Sequence, residues 1–328
     1  MKKSMLALAV LSAFAGAASA QSSVTLSGGI DAAIWKINDQ WQMSTGNSGR
    51  SNFTLSGRED LGGGMYAFFT LNYRFNAATG EGTSQPTQGR FWRQSWVGLG
   101  GGFGDVRLGR MLPVLQEFNG GYDAFGTETI ANQGAITIHA GGAPAGTAGS
   151  ARNNNTIYYR SPSLGGLQLH ADVAAADNNA NANLPGASGT ERPIGIGAQY
   201  AAGPLRFAVA YDRGATDLKT TGIYGGYDFG VANVMFQLEK GELSSTVDQK
   251  RMSIGARIPF GAATLKAGVA KWSNDGGPDF EPKKFALGLD YALSKRTVVY
   301  TDVAKASGDG LTSLQEKVTF DVGIWHKF

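Results

Sequence analysis

The sequence predicts an all-β protein, a sixteen-stranded antiparallel barrel that crosses a membrane. Three observations carry that expectation. Apolar and polar residues alternate with a period of two over almost everything after residue 22, with no sustained helical stripe. The connections between alternating segments fall into two length classes that take turns along the chain. Aromatic residues recur at segment ends on the apolar face, at Tyr73, Phe75, Tyr159, Tyr211, Tyr227, Phe229 and Phe328, where a barrel meets the two membrane interfaces.

Taken in chain order, "MKKSMLALAVLSAFAGAASA" joins two lysines, an apolar stretch from Met5 and the small triplet Ala18-Ser19-Ala20. This is a secretory signal peptide over 1–20, with cleavage expected before Gln21, and it leaves 21–328 as one barrel domain. "SVTLSGGIDAAIW" opens the strands, followed by "NFTLSG", with Phe53 and Leu55 on one face and Asn52 and Thr54 on the other. "GMYAFFTLNYRF" sets Met65, Ala67, Phe69 and Leu71 against Tyr66, Phe68, Thr70 and Asn72. "GLQLHADV", "PLRFAVAYD" and "RMSIGARI" alternate in the same way. The closing "KVTFDVGIWHKF" puts Val318, Phe320, Val322, Ile324, His326 and Phe328 on one face, so the last strand is two-faced to its end.

Seven short turns, from "REDLGGG" to "ALSK", separate eight longer polar segments near 38–50, 76–90, 111–153, 174–191, 213–220, 240–250, 273–281 and 305–315. That layout gives an even strand count with both ends on the short-turn side, as in outer-membrane barrels. A secreted sandwich also alternates, but its loops need not sort into two classes and its apolar face lies inside. A closed barrel has no unpaired edge, so hydrocarbon can surround it.

Composition narrows the function. Without Lys2 and Lys3, Lys+Arg falls from 29 to 27 against 26 Asp+Glu, and no cluster suggests a nucleic-acid surface. The absence of cysteine removes disulfides and thiol chemistry. Three scattered histidines, at 139, 170 and 326, make a metal site unexpected, and no cofactor is expected.

Six phrases then occur in a familiar order: "SSVTLSGGIDAAI", "GREDLGGGMYAFFTL", "RQSWVGLGGGFGDVRLGR", "NNNTIYYRSPSLGGL", "LDYALSKRTVVY" and "GIWHKF". Over about 22–328 the chain resembles the Gram-negative general porins, in particular the betaproteobacterial, neisserial-like type. The resemblance implies a homotrimeric outer-membrane channel for small hydrophilic solutes and ions, set among lipid and lipopolysaccharide. It also implies that the outer-membrane assembly machinery reads the terminal Phe328. In that family the third external loop folds into the lumen and narrows it. Here that segment spans 111–153 and carries Glu117, Asp123 and Glu128, with Asp123 the leading acidic candidate. The resemblance implies a basic cluster opposite, assigned to Arg93 and Arg152.

Two departures concern that cluster. "SNFT" places Asn52 where the family has an arginine, and "FTLN" places Asn72 where it has a carboxylate. Arg50 and Arg74 share their parity two residues away and offer replacement charge. Weak charge selectivity is therefore expected. Arg160, Arg206 and Arg251 also have lumen parity, but the assigned loops put them near strand ends, in bracing roles.

Three other functions compete. A channel dedicated to organic acids or sugars would show an aromatic track; Tyr66, Phe68 and Tyr158 have lumen parity but form no obvious ladder in sequence. A barrel enzyme would need a matched acid–base or nucleophile pair, and His170 with Gln168 and Asp172 lacks a nucleophile, so no enzymatic activity is expected. A structural adhesion barrel predicts no conductance.

Overall fold

The computed structural model describes residues 23–37, 39–44, 51–82, 91–126, 129–134, 152–174, 191–215, 217–313 and 316–328. The expected signal peptide, Arg50 and Glu128 lie outside these.

Sixteen strands close into one antiparallel ring. They are β1 (Ser23–Ile37), β3 (Asn52–Gly62), β4 (Met65–Arg74), β5 (Gln94–Gly101), β6 (Gly104–Met111), β7 (Asn153–Arg160), β8 (Leu167–Ala174) and β9 (Ile194–Ala202), followed by β10 (Leu205–Arg213), β11 (Lys219–Asp228), β12 (Asn233–Ser244), β13 (Val247–Phe260), β14 (Ala263–Asp275), β15 (Lys283–Ala292), β16 (Thr297–Ser307) and β17 (Thr319–Lys327). β1 closes the ring: Ser23–Gly29 pairs with β3 and Gly29–Lys36 pairs with β17. Phe328 continues that closure, exchanging backbone hydrogen bonds with Gly28 at 3.1 and 3.3 Å.

The two faces are the ones alternation predicts. On β10, Ala208 is wholly buried while Phe207 and Val209 stay about two-fifths exposed, at 39% and 38%. Val24, Leu26, Ile254, Phe285 and Leu287 are likewise exposed. In water this area would be a liability; around a barrel it is the surface that meets lipid.

Two expectations need correction. The segment at 38–50 contains a further strand, β2 (Gln40–Ser44), which pairs with the outer end of β1. The presumed loop at 240–250 is strand: β12 and β13 run on until Ser244 pairs with Val247, leaving only Ser245 and Thr246 between them. Beyond the bilayer both faces of a strand meet water, so the polarity alternation vanishes while the backbone ladder continues. Lys240 bridges to Asp248 across this extension at 2.7 Å.

The segment after β6 contains the helix α1 (Val114–Asn119) and a 3₁₀ turn at Gly120–Tyr122. Pro113, with φ −66°, sets the entry, and the Gly120-Gly121 pair follows the last helical residue. Val114, Leu115 and Phe118 are buried. Six residues are too short to display a period, which is why alternation analysis reads this stretch as loop.

Candidate pore lining

Residues 113–126 and 129–134 are held against β8 to β15 by side chains on the buried parity of those strands. The first turn of α1 is pinned by two carboxylates: Val114 N–H donates to Asp172 at 2.8 Å and Leu115 N–H to Asp212 at 3.4 Å. Asn119 then donates to Glu239 at 2.6 Å and its carbonyl accepts from Gln237 at 3.1 Å. Further along, Arg257 donates to the carbonyl of Ala124 at 2.9 Å, and Lys284 to that of Asn132 at 2.9 Å. Apolar contacts fill the gaps. Phe118 meets the His170 ring edge-on at 4.9 Å, and Tyr122 stacks on Tyr224 at 5.6 Å.

Under this cover the wall is charged and paired. Arg251 and Glu239 bond at 2.6 Å with both side chains fully buried. Lys266 bridges Asp302 at 2.9 Å and Asp290 at 2.6 Å. An unpaired ion here would carry a desolvation penalty of several kcal/mol, and these residues have an opposite charge against them.

Asp123 has a different role from the one assigned. It is buried, and its carboxylate accepts from Phe125 N–H at 2.9 Å and Gln133 N–H at 2.6 Å. Burial pushes its carboxyl above the ordinary carboxylate range, against the pull of those two donors and of Arg251 and Lys284. Asp123 therefore shapes the segment, and the cations near it are Arg251 and Lys284 instead of Arg93 and Arg152. Among the described residues of the segment, the carboxylate left partly exposed is Glu117, one-third exposed and 3.9 Å from Arg107.

The wall of β3 to β5 holds the other candidates. Asn72 donates to Thr54 at 2.7 Å and to Asn52 at 3.2 Å, so the two departures from the family pattern touch each other. Arg74 pairs in register with Asn52, and Arg93 N–H bonds the Asn72 carbonyl at 2.8 Å. Asn52, Asn72, Arg74 and Arg93 are thus brought together. Arg93 immediately precedes β5, on the alternation of Ser95 and Val97, not that of Gln94 and Trp96. Arg152 is buried just before β7, two strands further on from β5, and its carbonyl accepts from Arg110 at 3.4 Å.

Lower on this wall the aromatic residues do form a ladder. Tyr66 and Phe68 rings lie 5.4 Å apart, and Phe68 meets Trp96 edge-on at 5.3 Å. Arg107 sits 5.1 Å from the Trp96 ring and 5.2 Å from that of Tyr158. Flat packing is possible because β5 offers Gly98 and Gly100 opposite Phe68 and Tyr66. A Cβ at Gly98 would come within 2.8 Å of the Phe68 ring. Arg58 covers the Tyr66 ring at 3.5 Å.

Sequence reasoning missed Arg107, Glu239, Asp212 and Lys284. Each is a charged residue at inward parity, which was the available signal. The histidine site considered for catalysis is occupied structurally: His170 Nδ1 bonds Tyr158 OH at 2.6 Å, and Asp172 holds α1. Arg160 braces the wall, pairing with Asp105 at 2.8 Å.

The family model described as Gram-negative porin matches residues 7–311. The chain belongs to the Gram-negative porin family. This porin is 31% identical to outer membrane porin protein 32 of Delftia acidovorans, across 99% of this chain and 95% of that one. It is 26% identical to major outer membrane protein P.IB of Neisseria lactamica over the full length of both. Among solved structures it resembles an anion-selective porin from Comamonas acidovorans, with TM-score 0.78 and 26% identity, covering 94% of this chain and 100% of that one. Fold and relatives together place this porin in the Gram-negative outer membrane.

Proposed function

We propose that the chain is a passive, general diffusion channel for small hydrophilic solutes and ions, narrowed by residues 113–134. The supporting observation is an asymmetry inside the ring. The segment is bonded to β8–β15, which leaves the β3–β5 wall to face it across the lumen. The charge bias of this passage is weak. Asn52, Thr54 and Asn72 are neutral and bonded to one another, Glu117 lies against Arg107, and Asp123 is used up within the segment. A passage that must release what it admits works with such graded preferences. The working unit is a homotrimer, and Phe328, seated at the ring closure, is the end that the assembly machinery reads. Reconstituted liposomes should take up small sugars at rates ordered by size, whatever the stereochemistry. Uptake that discriminates between two hexoses of one size would replace the general channel with a dedicated one.

The aromatic ladder favours a second reading, in which the general channel passes flat organic acids with some preference. Arg58 offers the carboxylate a cation and Phe68 offers the body a ring face. In this reading benzoate should slow chloride current more than acetate does, and Phe68→Ala should abolish the difference. Equal effects of the two acids on the intact chain would remove the preference and leave the channel standing.

A further inference from the structure

From β13 to β16 the inward face carries a row with no side chain larger than a methyl. The ladder register sets Gly255, Gly268, Ala286 and Ala304 side by side across the four strands. Glycine inside a strand packs nothing and weakens it, and often marks a place where another backbone comes close. Some strand glycines of this ring lie under an aromatic ring from the next strand, as Gly57 does under Phe69 and Gly225 under Phe236. Gly255 and Gly268 have no such ring over them. What lies over them is the segment. A Cβ at Gly255 would come within 2.8 Å of the Ala124 Cβ. One at Gly268 would come within 3.0 Å of the Gln133 side-chain amide and 3.1 Å of the Phe125 ring. Ala124, Phe125, Ile130 and Ala131 share one buried apolar cluster with Ala286 and Ala304, so the row is their floor.

Long cations flank the row on the same face and hold the segment down. Arg257, two residues after Gly255, donates to the Ala124 carbonyl at 2.9 Å, and Lys284, two before Ala286, donates to that of Asn132 at 2.9 Å. Arg251, four before Gly255, reaches the Gln133 carbonyl at 3.4 Å. Lys266, two before Gly268, places its ammonium 5.4 Å from the centre of the Phe125 ring. These contacts draw the segment against the wall, and the height of the row stops it. The strands beneath are fixed on both sides by their ladders, and a packed interior has no spare room. A side chain added to the row must therefore lift the segment.

We propose that Gly255 and Gly268 set the bore of the channel by fixing how deep the segment sits. This rests on the reading that the segment narrows the passage. It adds that the wall beneath, and not only the segment's own residues, decides the largest solute that passes. Both glycines are positioning residues, acting on solutes through the segment.

The test reads single-channel potassium chloride steps from the full refolded chain, and the size limit for sugars entering liposomes. Gly255→Leu raises the segment by roughly one side-chain layer and should lower the step about twofold, the narrowest section dominating resistance. It should exclude the larger sugars first. Gly255→Ala should act in the same direction but less. Gly255→Ala/Ala124→Gly moves one methyl across the contact and should restore the intact step. Ala256→Leu, on the outward parity of β13 with Met252 and Ile254, should leave the step unchanged. A merely destabilised barrel gives fewer channels of unchanged step, so step size separates bore from folding. Where Gly255→Leu does not fold, Gly255→Ala and its swap decide the matter. Unchanged or larger steps from the Gly255 variants overturn the proposal, as does a swap that restores nothing. An equal loss when Gly255→Leu is placed in a chain lacking residues 113–134 also overturns it, because the new side chain would itself be the obstacle. If removing the segment alone leaves the step unchanged, the constriction reading fails. If that removal enlarges the step while Gly255→Leu does not lower it, the constriction stands and its control by the wall fails.

Discussion

Arg251→Met should destabilise the folded barrel by about 3–5 kcal/mol, the cost of leaving a buried ionic partner alone. Arg251 and Glu239 are both fully buried and 2.6 Å apart, and Arg251 also donates to Gln237 at 2.8 Å. Glu239 in turn accepts from Tyr224 at 2.8 Å and Asn119 at 2.6 Å, so its carboxylate anchors the segment as well as the wall. Removing only the guanidinium strands that carboxylate beneath the segment. The double variant Arg251→Met/Glu239→Leu should recover much of the loss, because two apolar side chains leave no uncompensated charge. Recovery should be incomplete, since Tyr224 and Asn119 lose an acceptor. Denaturant midpoints of the refolded proteins measure both variants. A single variant as stable as the intact chain would mean that water reaches Glu239.

Asn52→Arg should shift ion preference toward anions several-fold at about 0.1 M salt. A unit charge about 4 Å from a passing ion contributes about 1 kcal/mol at the dielectric of water, and more in a narrowed passage. In the proposed channel the position lies on the wall across from the segment, and its amide oxygen accepts from Asn72 at 3.2 Å and from Thr54 at 3.4 Å. Raising the salt to about 1 M shortens the screening length to about 3 Å and should shrink the shift. Asp123→Asn, by contrast, should act through the segment's shape: its two backbone N–H donors lose a charged acceptor. A reversal potential that does not move with Asn52→Arg would take that wall out of the ion path.

How far the sequence reached has a physical explanation. Alternation found the ring because each strand separates lipid from lumen, and that contrast is written every second residue. It failed where the contrast ends. The polar stretch 240–250 looked like loop, although β12 and β13 continue through it. That one boundary also misplaced Arg251. With the loop assumed, Arg251 lay at a strand end; with the strand extended, it lies inside and under the segment. Parity marks Arg107, Asp172, Asp212 and Glu239 as inward but does not say which inward residues the segment covers. Contacts between residues far apart in the chain, from Val114 with Asp172 to Asn119 with Glu239, decide that. The aromatic ladder was hidden for a related reason: Phe68 and Trp96 meet across two strands, and the glycines that let the rings lie flat belong to β5.

Single-channel current through the full chain in a planar bilayer, recorded beside a variant lacking residues 113–134, tests the central claim most directly. The intact chain should give discrete ohmic steps, and the shortened chain larger ones with weaker ion preference, because the narrowest section dominates resistance. Steps of equal size from both folded proteins would place the constriction elsewhere. No steps from the intact protein would contradict the channel itself.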